Sequence, residues 1–288
     1  MGAPQSKEDR KMIKRILVGL GGTPYTSVAI ERAVKLAKQC DAEITGVTAV
    51  NFERIAKVGP VPKGVLNTAR ELAKERVRVT REAVEDAIGA LESACTAEGI
   101  KYRVKQEERE DPFDLMISLA RYHDLMIFGL RSIFDYDISF EDPKDTLARL
   151  ISAGVRPIIA VSDKFRPIQK VMIAYSGSMA SAKTMKRFVQ LRLWPDVKLK
   201  IVTFQSSEDK AHQLLYDASE YCRAHGFHVD TESNSGSPKD FLLPMATVWQ
   251  ADMIVMGNSA RNLLVKQLLG ETALHIIRNA DRPLFLCQ

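Results

Sequence analysis

The 288-residue chain is 45% hydrophobic and 27% charged, with 41 Lys and Arg against 36 Asp and Glu for a net charge of +5. This describes a globular protein long enough for two cores, and so modest and dispersed a positive charge argues against dedicated nucleic-acid binding. No apolar run approaches the roughly 18 residues of a membrane span, and Cys40, Cys95, Cys222 and Cys287, far apart and without a Cys-x-x-Cys pair, suit free thiols in a reducing cytoplasm.

Residues 1–11 are polar and aperiodic, as expected of a disordered tail. An apolar run over 16–20 predicts a strand covered on both faces, followed by a Gly21-Gly22-Thr23-Pro24 turn. Val28, Ala29, Ala33, Leu36 and Ala37 then recur at helical spacing. A strand over 43–50 follows, and residues 51–64, with Gly59, Pro60 and Pro62, read as a loop. Residues 66–97 form a long helix expected to turn Leu72, Val77, Val84, Ile88 and Leu91 inward. Strands over 101–106, 125–129 and 155–161 alternate with helices over 112–122 and 144–153, and residues 164–169, with Pro167, form a linker.

The order then repeats: strands over 171–175, 198–204, 227–232, 253–257 and 284–287, helices over 180–191, 208–225, 239–250 and 271–279. The repeat is visible in the residues themselves. Asp124-Leu125-Met126-Ile127-Phe128-Gly129 is echoed by Asp252-Met253-Ile254-Val255-Met256-Gly257, and Arg156-Pro157 by Arg282-Pro283 before each final strand. Strand and helix alternation of this kind implies right-handed crossovers and a parallel sheet. The expected fold is α/β, two tandem open parallel five-stranded sheets flanked by helices, Rossmann-like. One domain would span residues 12–163 and a second 170–288.

Ligands of open α/β sheets sit beyond the carboxyl ends of the strands, where strand order reverses. The informative segments are therefore those after the first and fourth strands of each copy. In the second copy these are Ser176-Gly177-Ser178 and the run from Met256-Gly257-Asn258-Ser259-Ala260-Arg261 to Gly270-Glu271-Thr272. Small residues permit close backbone approach, and a helix start offers unpaired N–H groups to a phosphate.

On these residues the chain resembles the universal stress protein family in its tandem form, over about residues 12–288. The resemblance implies an adenine nucleotide alpha hydrolase-like fold and a Gly-x2-Gly-x9-Gly-(Ser/Thr) loop that cradles the phosphates of ATP, with Mg, or AMP. Gly257 and Gly270 hold the first and third glycine positions. Ala260 stands at the second, Glu271 at the Ser/Thr position with Thr272 one residue late, and Ser176 where an Asp is expected after the first strand. The family's dimerisation through final strands implies internal pairing of the two domains here, with a homodimer as a further expectation.

The first copy departs further. Its loop, Leu130 to Pro143, has no second glycine and is acidic, so nucleotide is not expected there. Asp135, Asp137 and Ser139 fall short of a calcium loop because Phe140 replaces the required Gly. Pro24 breaks a dinucleotide fingerprint after Gly19 and Gly21, and His225 and His228 straddle a strand start unsuited to a metal pair. No catalytic constellation is present. The expected function is a cytoplasmic stress-response module that binds an adenine nucleotide in its second domain without catalysis. The alternatives are a scaffold or partner protein of the same fold that binds no nucleotide, and a slow ATPase.

Overall fold

Runs of β-branched and aliphatic residues that must be covered on both faces set the centre of the molecule. The computed structural model describes residues 12–50, 52–58, 62–107, 112–130, 157–257 and 270–287. Strands β1 (Arg15–Gly19), β2 (Glu43–Ala49), β3 (Tyr102–Glu107), β4 (Leu125–Gly129) and β5 (Ile158–Val161) are mutually parallel. So are β6 (Lys170–Ala174), β7 (Lys198–Phe204), β8 (His228–Asn234), β9 (Met253–Gly257) and β10 (Leu284–Cys287). The two sets are not separate: β5 and β10 pair antiparallel, with Leu284 opposite Ala160, Phe285 opposite Ile159 and Leu286 opposite Ile158. One ten-stranded sheet results among the described residues, in the order β3-β2-β1-β4-β5-β10-β9-β6-β7-β8.

Helices α1 (Thr26–Cys40), α3 (Leu66–Ala97), α5 (Met179–Leu191) and α6 (Glu208–Ala224) cover one face and share a single core with Ile16, Val18, Ile173, Leu199 and Phe285. On the other face α4 (Pro112–Ala120), α7 (Pro238–Val248) and α8 (Glu271–Asn279) pack over Leu17, Met126, Met172 and Ile254. Corresponding helices of both halves thus share a face while their strands run in opposite senses. The carboxyl ends of the strands accordingly lie on one rim of the sheet in the first half and on the opposite rim in the second.

The repeated aspartate has a structural cause. Asp124 Oδ2 accepts the backbone N–H groups of Lys14 at 2.9 Å and Arg15 at 3.1 Å, and Asp252 Oδ2 accepts those of Gln169 at 2.9 Å and Lys170 at 2.8 Å. Each carboxylate, one residue before its fourth strand, clamps the entry of the first strand beside it. Arg282, 4% exposed, explains its half of the repeated Arg-Pro pair. Its Nη1 donates to the Ala246 and Ala251 carbonyls at 2.8 and 2.9 Å and its Nη2 to Thr247 Oγ1 at 3.0 Å, satisfying acceptors at the end of α7. Arg156 lies outside the described residues.

Three expectations need correction or completion. Leu72 is 59% exposed, because the inner face of α3 follows Ala73, Val84, Ala87 and Leu91, a stripe turned by about 100° from Leu72. The segment read as a loop contains a short helix, α2 (Phe52–Ala56), held by Ile55 against Val50 and Val84, and a 3-10 turn at Lys63–Val65. The helix over 144–153 and the acidic loop over 131–143 fall outside the described residues.

The halves also meet through α1. Arg32, 3% exposed, donates to the Arg166 carbonyl and lies 4.3 Å from the centre of the Phe165 ring, and Gln39 donates to Leu193 O at 2.8 Å. Burial lowers the Arg32 pKa to about 10, which leaves it charged near neutrality.

His123 is 2% exposed and bridges α4 to β2, its Nδ1 lying 2.6 Å from Leu119 O and its Nε2 2.8 Å from Thr45 Oγ1. A carbonyl only accepts, so Nδ1 carries the proton and Nε2 accepts from the Thr45 hydroxyl. Burial holds the imidazole pKa below its ordinary 6.5, with the Leu119 carbonyl and Glu43 opposing and Arg15 and Arg103 assisting. The stability it contributes is complete above about pH 6.5 and is lost as pH falls towards the folded value. The melting temperature should therefore fall more steeply between pH 7 and pH 5 in the natural chain than in His123→Gln; equal slopes would refute this assignment. Asp252→Ala, which strands two backbone donors, should cost about 1–3 kcal/mol in urea unfolding.

Candidate functional site

Strands β6 and β9 lie side by side, with Ala174 opposite Met256. From β6 the chain steps outward to β7 and β8, then returns across β6 to β9 and β10, so strand order reverses between β6 and β9. This is the switch point of the second half, and the Ser176-Gly177-Ser178 turn and Gly257 both stand at its mouth.

Ser178 has extended backbone and caps α5, its Oγ accepting the Ser181 N–H at 3.2 Å. Ser181 in turn binds back to the turn, Oγ to the Ser178 carbonyl at 2.9 Å and to Ser176 Oγ at 3.2 Å, while Ser176 and Ser178 hydroxyls are 3.0 Å apart. Three hydroxyls therefore share one network at the positive end of a 13-residue helix. Gly177 adopts φ +74°, a left-handed conformation that favours glycine, and lies against the Leu214 side chain, whose Cδ2 a Cβ would meet at 2.6 Å.

Gly257, the last residue of β9, lies against the first turn of α5. A Cβ on it would lie 2.7 Å from the Ala180 carbonyl carbon and oxygen and 2.8 Å from Ser181 N. Backbone meets backbone here, which only glycine permits. Thr184, 1% exposed, then ties the same turn of α5 to the last strand, its Oγ1 lying 2.8 Å from Ala180 O and 2.9 Å from Cys287 O.

Of the predicted site residues, the structure brings Ser176, Gly177 and Ser178 together with Gly257, and buries Met256 beside them at 5% exposure. Gly270 caps α8 through its extended backbone alone, without a side-chain partner, on the other side of the sheet. Glu271 is exposed and Thr272 half-buried in the first turn of that helix. Asn258, Ala260 and Arg261 lie outside the described residues. The sequence reading missed Ser181, the hub of the hydroxyl network, and Thr184. The Ser178-x-x-Ser181 spacing was the available signal, since a cap and the third residue after it face each other.

The first-half switch point, between β1 and β4, is filled differently. A Cβ on Gly19 would lie 2.5 Å from the Phe128 ring, and Gly22, at φ +63°, is pressed against Ala83 of α3. Phe128 is 3% exposed, so its ring occupies the space that the bare glycine leaves at the end of β1. Elsewhere, His225 Nδ1 lies 2.9 Å from the Tyr221 carbonyl, and among the described residues no cluster of His, Cys, Asp or Glu has metal-binding geometry. The four cysteines are buried and none is in a disulfide, and burial raises the Cys222 pKa to about 12 and that of Cys95 to about 11, so neither of these two is a thiolate near neutrality. No helix among the described residues is long and apolar enough to cross a membrane.

The model of the universal stress protein family matches residues 12–129 and 203–288. Among solved structures, a universal stress protein from Archaeoglobus fulgidus DSM 4304 is similar over 95% of this chain and 96% of its own, at 19% identity and a TM-score of 0.66. A functionally unknown protein from Pseudomonas aeruginosa PAO1 is similar over 98% of this chain and 94% of its own, at 15% identity and a TM-score of 0.58. Both likenesses concern the fold. A comparison of the sequence with curated proteins found no match.

Gly257→Ala should destabilise the chain by roughly 2–4 kcal/mol, because the contact it forces is with backbone that cannot rotate away. Ser178→Ala, which removes one cap, should cost only about 1 kcal/mol. Urea unfolding of both variants checks the order, and a Gly257→Ala chain as stable as the natural one would contradict the packing described.

Proposed function

This chain belongs to the universal stress protein family, and from that premise we propose that it is a stress-response protein whose second domain, residues 170–288, binds an adenine nucleotide without turning it over. The observation that carries the reading is the backbone contact of Gly257 with Ala180 at the switch point. It holds the end of β9 against the start of α5, so that Gly257 itself stands beside the serine turn. The hydroxyls of Ser176 and Ser178, held from below by buried Ser181, and the opening N–H groups of α5 form a neutral surface suited to ribose and phosphate oxygens. Gly270, at the start of α8, adds a second helix N-terminus on the other layer, with the Thr272 hydroxyl in its first turn.

The donor set fits AMP or ATP, with one discordant charge. Glu271 occupies the first turn of α8, where it favours the helix dipole but repels an anion. Its exposure leaves it free to turn towards solvent, which water screens efficiently. If ATP is the ligand, Mg would accompany its phosphates. The first half supports no equivalent reading, since Phe128 fills the end of β1.

The second reading is a scaffold or partner protein that has kept the fold and lost the ligand. Ser176 in place of a carboxylate, together with Ala260 and Glu271, favours it. Melting separates the two. A nucleotide at a hundred times its dissociation constant adds about 2.7 kcal/mol, raising the melting temperature by roughly 5–10 °C. A rise with AMP or ATP that disappears in Ser176→Ala, Ser178→Ala double variants supports nucleotide binding. Unchanged melts with millimolar AMP, ADP and ATP sink it and leave the scaffold reading.

A further inference from the structure

The outermost strands, β3 and β8, are the two edges of the ten-stranded sheet among the described residues. Most of their residues are exposed, including Tyr102, Arg103, Lys105 and Gln106 on one edge and Asp230, Thr231, Glu232 and Ser233 on the other. An edge of this kind presents backbone N–H and C=O groups without ladder partners, and proteins usually block it with charge. Here the charges differ in sign. The β3 edge carries Arg103 and Lys105, the β8 edge Asp230 and Glu232.

Their directions and faces also agree. Because the β5–β10 seam is antiparallel, β3 and β8 run in opposite senses within one chain. A second copy displaced sideways along the sheet therefore brings its β8 antiparallel to the first copy's β3. Val104 and Val229 both pack towards the core beneath α1, α3, α5 and α6. Strand alternation then puts Arg103, Lys105, Asp230 and Glu232 together on the opposite face. Setting Arg103 across from Glu232 places Lys105 across from Asp230, Val104 across from Thr231 and Tyr102 across from Ser233.

Within each chain these charges already end a ladder. Arg15 and Arg103 both reach Glu43 at 2.7 Å, and Lys200 reaches Glu232 at 2.8 Å. In the register above, Arg15, Glu43 and Arg103 of one copy are followed by Glu232 and Lys200 of the next, an unbroken alternation of sign across five neighbouring strands. We propose that copies of this chain associate edge to edge, β3 of one pairing antiparallel with β8 of the next, in this register. The contact is heterologous, so it propagates into fibres or a ring and does not stop at a pair. One strand pair with its flanking side chains is smaller than the roughly 1,200 Å² of a stable interface, which makes the association weak, and its charges make it salt-sensitive.

Sedimentation velocity of the full chain tests this, at protein concentrations up to about 1 mM and ionic strengths of about 0.05 M and 0.5 M. The natural chain should grow in mass with concentration at low salt and weaken about tenfold or more at high salt. A chain carrying R103E and K105E has two acidic edges, and one carrying D230K and E232K has two basic edges. Each alone should sediment as a single chain, and an equimolar mixture should regain association. The milder pair K105E and D230K leaves the Arg103–Glu43 and Lys200–Glu232 bonds intact and should show the same pattern, which removes misfolding as an explanation. A natural chain that stays single throughout, an association indifferent to these changes, or mixtures that fail to recover it would each overturn the proposal.

Discussion

The antiparallel pairing of β5 with β10 is the constraint on which the rest of the molecule depends. Four-residue strands, buried at every position, make it. Without it each half would end in an apolar strand with a bare edge; with it, ten strands share two continuous cores. Phe285 shows how far the dependence reaches. It is fully buried, lies opposite Ile159 of the other half and meets the Phe188 ring edge-on at 5.3 Å. The seam also decides where chemistry can occur, since reversing the strand sense sends the two switch points to opposite rims. A ligand in one half does not sit beside a ligand in the other.

Between the candidate site and that seam runs a short physical connection. Gly257 rests on Ala180, whose carbonyl shares the Thr184 hydroxyl with the carbonyl of Cys287 in β10. The first turn of α5 is thus fixed from both sides, by the strand end it abuts and by the last strand of the sheet. Such a turn presents its donors in a set geometry before any ligand arrives, which lowers the ordering cost of binding. The first half lacks this arrangement at its own switch point, where an aromatic ring and the long α3 take up the room. Duplication kept the sheet in both halves and left the two switch points differently lined, by a serine turn in one and an aromatic ring in the other.

Much of the fold was legible because it rests on repetition and on runs of apolar residues. The inner strands appear where those runs lie, the polar edge strands β3 and β8 where the repeat of the order requires them, and the described helices between them follow the 3.6-residue period. What escaped has particular causes. Leu72 is large and apolar and so reads as inward, but one residue along a helix is a rotation of about 100°, and the small Ala73 holds the inner line. The short α2 was hidden by Gly59, Pro60 and Pro62 nearby, although Ile55 had a partner in Val84 only visible in three dimensions. The aspartates before β4 and β9 stood out as a repeat, yet their task, accepting two N–H groups from a strand more than eighty residues away, has no local signature. At the site, glycines and serines could be named from spacing. That Gly257 yields to backbone, and that Ser181 organises the hydroxyls, required the contact between two distant segments.

The seam has a further consequence, in the order of events as the chain is made. The ribosome delivers β5 well before β10, which follows every other described strand. Throughout that interval Ile158, Ile159, Ala160 and Val161 have neighbours on one side only. A nascent first half is therefore a finished α/β layer with one adhesive margin, in a crowd of identical nascent chains, each able to offer the same four residues. Native closure is intramolecular, so it wins if the second half emerges and folds faster than two unfinished chains meet. Translation speed through β6 to β10 thus becomes a determinant of yield, and slow codons there would be expected to trade folded protein for entangled pairs.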